Sequence, residues 1–383
     1  MDFSFDTQTS ELRDLCRAFA QKEIAPHAAQ WSEQHRFPTE VFKKMGELGL
    51  MGMLAPEEYG GTDVGFVPYV AAMEEIGVAD QSVATSWNAH TTIASLPLIR
   101  YGTHEQKEKW LRPLAEGTHI GAFGLTEPAA GSDAASIRTR ARREAGGWLI
   151  NGTKMFITNA GTDMSLGVSL LAVTDDDGAA RRYGTFFVPS GTEGFTLGAP
   201  LRKLGWNASD TRELVFEDCW VPDDHLIGDD GTGLRQFLEV LDPGRISVAA
   251  LSLSLAEAAL RLAVRQCRER EQFGRPIAAF QAIAHKVADM ATEVEAVRWL
   301  VYRAAWLADT GQPFGRAAAM AKLHASEVAN RAASASLQIH GGYGYMRESE
   351  IARFYSDAKI LEIGEGTSEI QRNVIARSVI GKI

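Results

Sequence analysis

Three polar or glycine-rich stretches hold the side chains most able to do chemistry: GLTEPAAGSDAAS at 124–136, QIHGGYGYMRE at 338–348 and IGEGTSEIQ at 363–371. In the third, Glu365 stands between Gly364 and Gly366, and Thr367, Ser368 and Glu369 open a helix expected to run to about Ile380. A carboxylate there can simply favour a helix N-terminus, an effect of about 0.3–1 kcal/mol, or it can act as a base. Thr126 and Ser132 are residue types that close turns and cap helices. The backbone around Ala130 and Gly131 also offers N–H donors to the polar edge of a ring. Gly341 and Gly342 lack side chains and so let backbone N–H groups approach a phosphate. No GxGxxG follows an expected strand and no GxxxxGK[ST] occurs, so a nucleotide cofactor would need these turns as its cradle.

The elements that must position these stretches change period twice. Residues 1–118 read as a helical domain, with Thr9 and Ser10 expected to cap a run carrying Leu12, Leu15, Cys16 and Phe19, and Thr39 to cap the next. Residues 119–228 read as a β domain of short strand-forming runs between Gly, Asn and Asp clusters. Within it WLINGTKMFIT is expected to be a hairpin turning at Asn151 and Gly152, with Phe156 and Thr158 on one face of its second strand. Residues 229–383 return to helical periodicity. Asp242 and Pro243 are expected to start a helix whose apolar face carries Ile246, Ala249, Ala250 and Leu253. Ile283, Val287, Met290, Val294, Val297, Val301 and Ala304 mark a second, stopped by Gly311 and Pro313. The fold class is mainly α with an inserted β domain: an N-terminal helical domain, a middle β-barrel or sandwich, and a C-terminal four-helix bundle.

Composition narrows the function. At 383 residues and 45% hydrophobic content the chain can bury more than one core. A formal charge of -10 argues against nucleic acid or an anionic membrane surface as principal partner. No run of about 18–20 continuous apolar residues and no leader pattern is seen, so the expected location is the cytoplasm, or an organellar matrix if a transit peptide has been removed. Cys16, Cys219 and Cys267 are far apart and without CxxC spacing, and the nine histidines form no HExxH. No metal site is expected, and the cysteines are expected to be buried.

The three stretches resemble the acyl-CoA dehydrogenase family, and the resemblance runs the length of the chain. Leu125, Thr126, Glu127, Gly131, Ser132 and Asp133 fit one family signature; Gln338, Gly341, Gly342, Gly344, Glu348, Arg353 and Asp357 fit the other. KMFITN, LGWNASDTRELVFEDCWVP and REQFGRPIAAFQAI are similar to family segments as well. The resemblance implies FAD as cofactor. Phe123, Leu125, Thr126, Gly131 and Ser132 would wrap the flavin, with Phe156, Ile157 and Thr158 covering a face, although Phe156 stands where family members often carry Trp. Arg270, Gln272, Phe273, Gln281, Gln338, Gly341 and Gly342 would reach the pyrophosphate and adenine of FAD held mainly by a neighbouring subunit, in a homotetramer built as a dimer of dimers. Thr367 and Glu369 join the cofactor set by the same resemblance.

The implied reaction is α,β-dehydrogenation of an acyl-CoA to the trans-2-enoyl thioester. Glu365 would abstract the α proton while flavin N5 accepts the β hydride, and Ser132, Asp242, Arg245 and Gly366 would line the thioester. Some branches place the base just before the arginine of a segment like LDPGR; here that position is Gly244, ahead of Arg245. A carboxylate with an ordinary pKa of about 4.3 is a weak base for carbon, and desolvation can raise it by about 3–5 units. By resemblance, the Glu365 N–H and a ribityl hydroxyl would stabilise the enolate oxygen. The expected electron acceptor is an electron-transferring flavoprotein. Alternative readings keep the fold and change its use, to oxidation of a thioester on a carrier protein, to flavin oxygenase or oxidase chemistry, or to a scaffold without activity.

Overall fold

The computed structural model describes residues 4–175 and 181–381. The N-terminal helices are α1 (Thr7–Phe19), α2 (Ala28–Gln34), α3 (Thr39–Glu47), α4 (Phe66–Ala79), α5 (Gln81–Ala89), α6 (Leu96–Tyr101), α7 (His104–Gln106) and α8 (Arg112–Ala115). The first is capped one turn earlier than expected. Asp6 accepts from the Thr9 N–H at 2.7 Å, which leaves Thr9 and Ser10 inside the helix. Thr39 is likewise the first helical residue rather than the cap, and Pro38 occupies the cap position with no side-chain bond. α5 continues into a π-helical turn, His90–Ala94, a form that often marks functional sites.

Eight strands form one sheet: β1 (Ile120–Gly124), β2 (Arg140–Glu144), β3 (Gly147–Thr158), β4 (Ser165–Asp175), β5 (Arg182–Pro189), β6 (Phe195–Leu197), β7 (Thr211–Pro222) and β8 (Leu226–Ile227). The order is β6-β7-β3-β2-β4-β5-β8, with β1 laid parallel along β4. The hairpin lies elsewhere than expected. β3 runs unbroken through Asn151 and Gly152, and the turn joining it to β2 is at Gly146, whose φ is 74°. β7 pairs along the length of β3 and Asn151 bonds with Asp218 through both its amide groups, so Asn151 and Gly152 make a bulge. A side chain at 152 would meet Thr139 Oγ1 at 2.5 Å, and bulges use glycine for the same conformational freedom as turns do.

The C-terminal part contains α9 (Gly233–Glu269), a β9–β10 hairpin (Glu271–Gln272 and Arg275–Pro276), α10 (Gln281–Asp309), α11 (Gly315–His340), α12 (Glu350–Ala358) and α13 (Ser368–Ile380). Asp242 and Pro243 do not start α9; they lie well inside it. An internal proline removes one helix bond and frees the carbonyl four residues earlier. That carbonyl, of Glu239, instead accepts from Arg100 Nη1 at 3.1 Å. α9 is the one helix among the described residues long and apolar enough to cross a membrane, but most of it is buried. It is the core against which α4, α10 and α11 pack, and Arg298 ties three of these together through Glu74 at 2.9 Å and Glu257 at 3.0 Å. α10 buries Met290, Val294, Val297, Val301 and Ala304 as expected and ends at Asp309. All three cysteines are free and buried.

Candidate active site

Glu365 lies in the short link between α12 and α13, and its backbone is left-handed (φ 50°) with Gly366 following at φ 97°. This tight link turns the side chain inward. Asn88 Nδ2, from the last turn of α5, donates to Glu365 Oε1 at 3.1 Å. Oε2 is enclosed and has no hydrogen-bond partner. It points at α9: a Cβ placed on Gly244 would sit 2.5 Å from Oε2 and 3.1 Å from Ile93. The space a side chain at 244 would take is therefore the space the Glu365 carboxylate fills. Among the described residues the Glu365 N–H has no intrachain acceptor.

Two cations flank this carboxylate without neutralising it. Lys322 on α11 is fully buried, and its Nζ donates at 2.8 Å to the carbonyl of Gly366 rather than to Glu365. Arg245 on α9 is paired with Asp242 through Nη1, and its buried Nε is unpartnered. Burial pushes the Glu365 carboxyl up to about 7, against the opposing pull of Lys322, Asn88 and Arg245. Burial also pulls the Lys322 amine down to about 8 in spite of Glu365. A carboxylic acid near neutrality with one desolvated lone pair is equipped to take a proton from a weakly acidic carbon.

The 125–132 loop leaves the end of β1, which β4 fixes by pairing Phe123 with Ser169. Glu127 anchors it. Its carboxylate accepts from Lys154 Nζ at 2.8 Å, from the Arg138 N–H at 2.6 Å and from the Thr139 N–H at 3.0 Å. Lys154 also donates to the Leu125 carbonyl, and the Met155 N–H donates to the Thr126 carbonyl, so the loop is clamped along β3. Phe123 stacks on Phe237 of α9, centroids 4.3 Å apart. Ala130 N–H is taken by the Glu127 carbonyl at 3.1 Å, and so it is not the free donor expected; Gly131 and Ser132 are exposed. Nor does β3 alternate simply at its end. Its register shifts between Lys154 and Ile157 and Phe156 has φ 63°, and beyond that irregularity Thr158 is half-buried. Ile157 is buried, while the Phe156 ring stands 66% exposed.

The remaining expected cofactor residues fall in two other places. Arg270, Gln272, Phe273, Gly341 and Gly342 line one groove of about 680 Å³, together with Gln266, His340 and Tyr343. Phe273 at the β9–β10 tip is 92% exposed, Arg270 lies over the Tyr343 ring, and nothing lies within 4 Å of a Cβ built on Gly341 or Gly342. Thr367 and Glu369 line a separate cavity of about 390 Å³ beside α11. Gln338 and Gln281 are exposed at helix ends near the first groove and are not part of its lining. Open backbone, an arginine and exposed rings are a donor set suited to the phosphates and flat rings of a dinucleotide.

Family models for the acyl-CoA dehydrogenase N-terminal, middle and C-terminal domains match residues 6–118, 122–219 and 231–380. The chain belongs to the acyl-CoA dehydrogenase family. It is 47% identical to the probable acyl-CoA dehydrogenase YngJ of Bacillus subtilis, over 99% of this chain and 100% of that one. Butyryl-CoA dehydrogenase from Megasphaera elsdenii superposes with a TM-score of 0.96 at 40% identity, covering 99% of this chain and 100% of that one. An acyl-CoA dehydrogenase from Bacillus anthracis complexed with FAD superposes at 0.93 and 32% identity, covering 98% and 67%. Within this family member, Asn88, Lys322 and Lys154 are the residues of the candidate site that sequence reasoning misses. A lone lysine inside the Ala- and Ser-rich run of α11 is the one signal for Lys322; nothing local marks Asn88.

Proposed function

We propose that this chain is an FAD-dependent dehydrogenase that converts an acyl-CoA thioester to its trans-2-enoyl product, with Glu365 removing the α proton. The supporting observation is the orphaned, enclosed Glu365 Oε2 beside Gly244. With the carboxyl near 7, about half is ionised at neutral pH, which matches general-base work best. The free Glu365 N–H is suited to the thioester oxygen as negative charge gathers there, and a positioned donor of this kind is typically worth about 2.7–4 kcal/mol. Ser132, Asp242, Arg245 and Gly366 are assigned to the thioester and its carrier. FAD, when bound, supplies two-electron oxidation by accepting the β hydride.

Phe123, Leu125, Thr126, Gly131, Ser132, Phe156, Ile157 and Thr158 would hold the flavin end. The groove at Arg270 and Gly341 and the cavity at Thr367 lie apart on one chain, a separation that suits FAD shared between subunits of a dimer of dimers. An electron-transferring flavoprotein is the proposed acceptor. The decisive test is anaerobic titration of the yellow protein with straight, branched and aromatic acyl-CoAs. One class bleaches the flavin, and Glu365→Gln slows bleaching by about 10³-fold or more with flavin content unchanged. A Glu365→Gln protein that bleaches at the native rate rules the assignment out.

A further inference from the structure

The two oxygens of Glu365 are not equivalent, and the cause lies behind the carboxylate. Oε1 takes the Asn88 amide; Oε2 takes nothing. Asn88 is itself buried, and its Oδ1 accepts from the Tyr69 hydroxyl at 3.3 Å. Tyr69, on α4, is fully buried, and burial first, then Glu365, push its phenol well above the usual range, so it remains a donor. A donor on Oδ1 fixes which way the amide faces, and Nδ2 is then turned to the carboxylate. The Asn88 carbonyl is held too, by Thr92 Oγ1 at 2.7 Å across the π-helical turn. Nothing in this relay reaches past Glu365 toward Gly244.

We propose that Asn88, oriented by Tyr69, is a positioning residue that pins Oε1 of Glu365 and thereby assigns proton abstraction to Oε2. The inference rests on Glu365 being the base. Hydrogen bonding to the charged form of a carboxylate favours that form, so the relay should also keep Glu365 ionised to lower pH than burial alone allows. The other charged groups facing it are Arg245 from α9, paired with Asp242, and Lys322 from α11, which also feels Glu362 and Glu369. None of them bonds to Oε1, so they cannot replace the amide.

The experiment is an isotope-edited infrared titration of the holoenzyme, following the carboxyl band that Glu365→Gln abolishes, beside the pH profile of kcat/KM. In Asn88→Leu the band should titrate about one to two units higher. The acidic limb of kcat/KM should follow it, and the high-pH plateau should fall by about tenfold as the carboxylate loses its fixed orientation. Tyr69→Phe, which keeps the amide and releases its orientation, should move both in the same direction by less. Asn88→Leu with its band and limb unmoved overturns the proposal. If that variant does not fold, an unmoved band in Tyr69→Phe overturns it instead. The band is read without turnover, so a relay that fails here leaves the identity of the base to the Glu365→Gln bleaching test, and a failed base still leaves a band to read.

Discussion

Glu127 and Glu365 are two enclosed glutamates, each with a buried lysine nearby, and their surroundings act on them in opposite ways. Glu127 and Lys154 are in direct contact, with side chains 5% and 0% exposed, and backbone amides complete the glutamate's bonds. Burial works to raise the Glu127 carboxyl, but Lys154, Thr139 and Arg138 outweigh it and hold it below the ordinary range. At Glu365 the lysine is turned to a backbone carbonyl, one oxygen is left bare, and the carboxyl rises to about 7. The lesson is that burial alone does not make a base. Burial with the counter-charge turned to a backbone carbonyl leaves the charge costly and available, which is what the proposed role of Glu365 needs.

The largest effect should come from breaking the closed pair. Lys154→Met leaves Glu127 buried without its cation, and such a loss typically costs about 3–5 kcal/mol. Thermal unfolding should show a large drop in Tm together with loss of bound flavin, since the 125–132 loop loses its clamp. An unchanged Tm would mean that the pair contributes nothing. The next effect is on the open site. Gly244→Ala puts a methyl 2.5 Å from Oε2, and the flexible end of Glu365 must move. A displacement of about 1 Å at a reacting group can cost about 10²-fold in rate. We expect kcat/KM to fall by about that factor while Tm and flavin content change little, in contrast to the Lys154 variant.

Sequence legibility divides along the same line. Glu365, Thr367 and the start of α13 are readable because a local motif carries them, and the Arg270 and Gly341 groove is readable because the second signature and the REQFGRPIAAFQAI segment name its residues. The relay is not readable, because Asn88 meets Glu365 across 277 residues of chain and an asparagine in a helix gives no local sign of its partner. The bulge at Gly152 reads as a turn since both need the same backbone freedom, and only the pairing with β7 separates them. Pro243 reads as a helix start because its cost inside a helix is offset by Arg100, which reaches the Glu239 carbonyl from 139 positions away.

A third effect sets the same substitution in both places. The raised carboxyl of Glu365 means the fold prefers its neutral form. The stability this gives is complete below about 4.5 and is lost as pH rises through about 7. Glu365→Gln removes that loss, so at pH 8 the variant should be more stable than the native protein by roughly 2 kcal/mol, with the gap closing toward pH 4.5. Glu127→Gln should destabilise, and most of all at neutral pH, because a carboxyl held low contributes stability above its unfolded pKa and loses it on acidification. Paired pH scans of Tm check both signs; two variants moving together would undo the contrast.

The smallest effect isolates the distant cation. Lys322 is the first of the influences that lower the Glu365 carboxyl, yet among the described residues its Nζ donates only to the Gly366 carbonyl, which Gln371 Nε2 also holds at 2.9 Å. Lys322→Met therefore removes charge while the 365–366 link keeps a backbone bond. The acidic limb of kcat/KM should move upward from about 7 by about one unit, with the high-pH plateau close to native. Lys154→Met, held at a temperature where it stays folded and resupplied with saturating FAD, should leave the limb in place, since its charge serves Glu127. If Lys322→Met shifts nothing, the lysine is a backbone clasp and the Glu365 carboxyl is set by burial against Asn88 and Arg245.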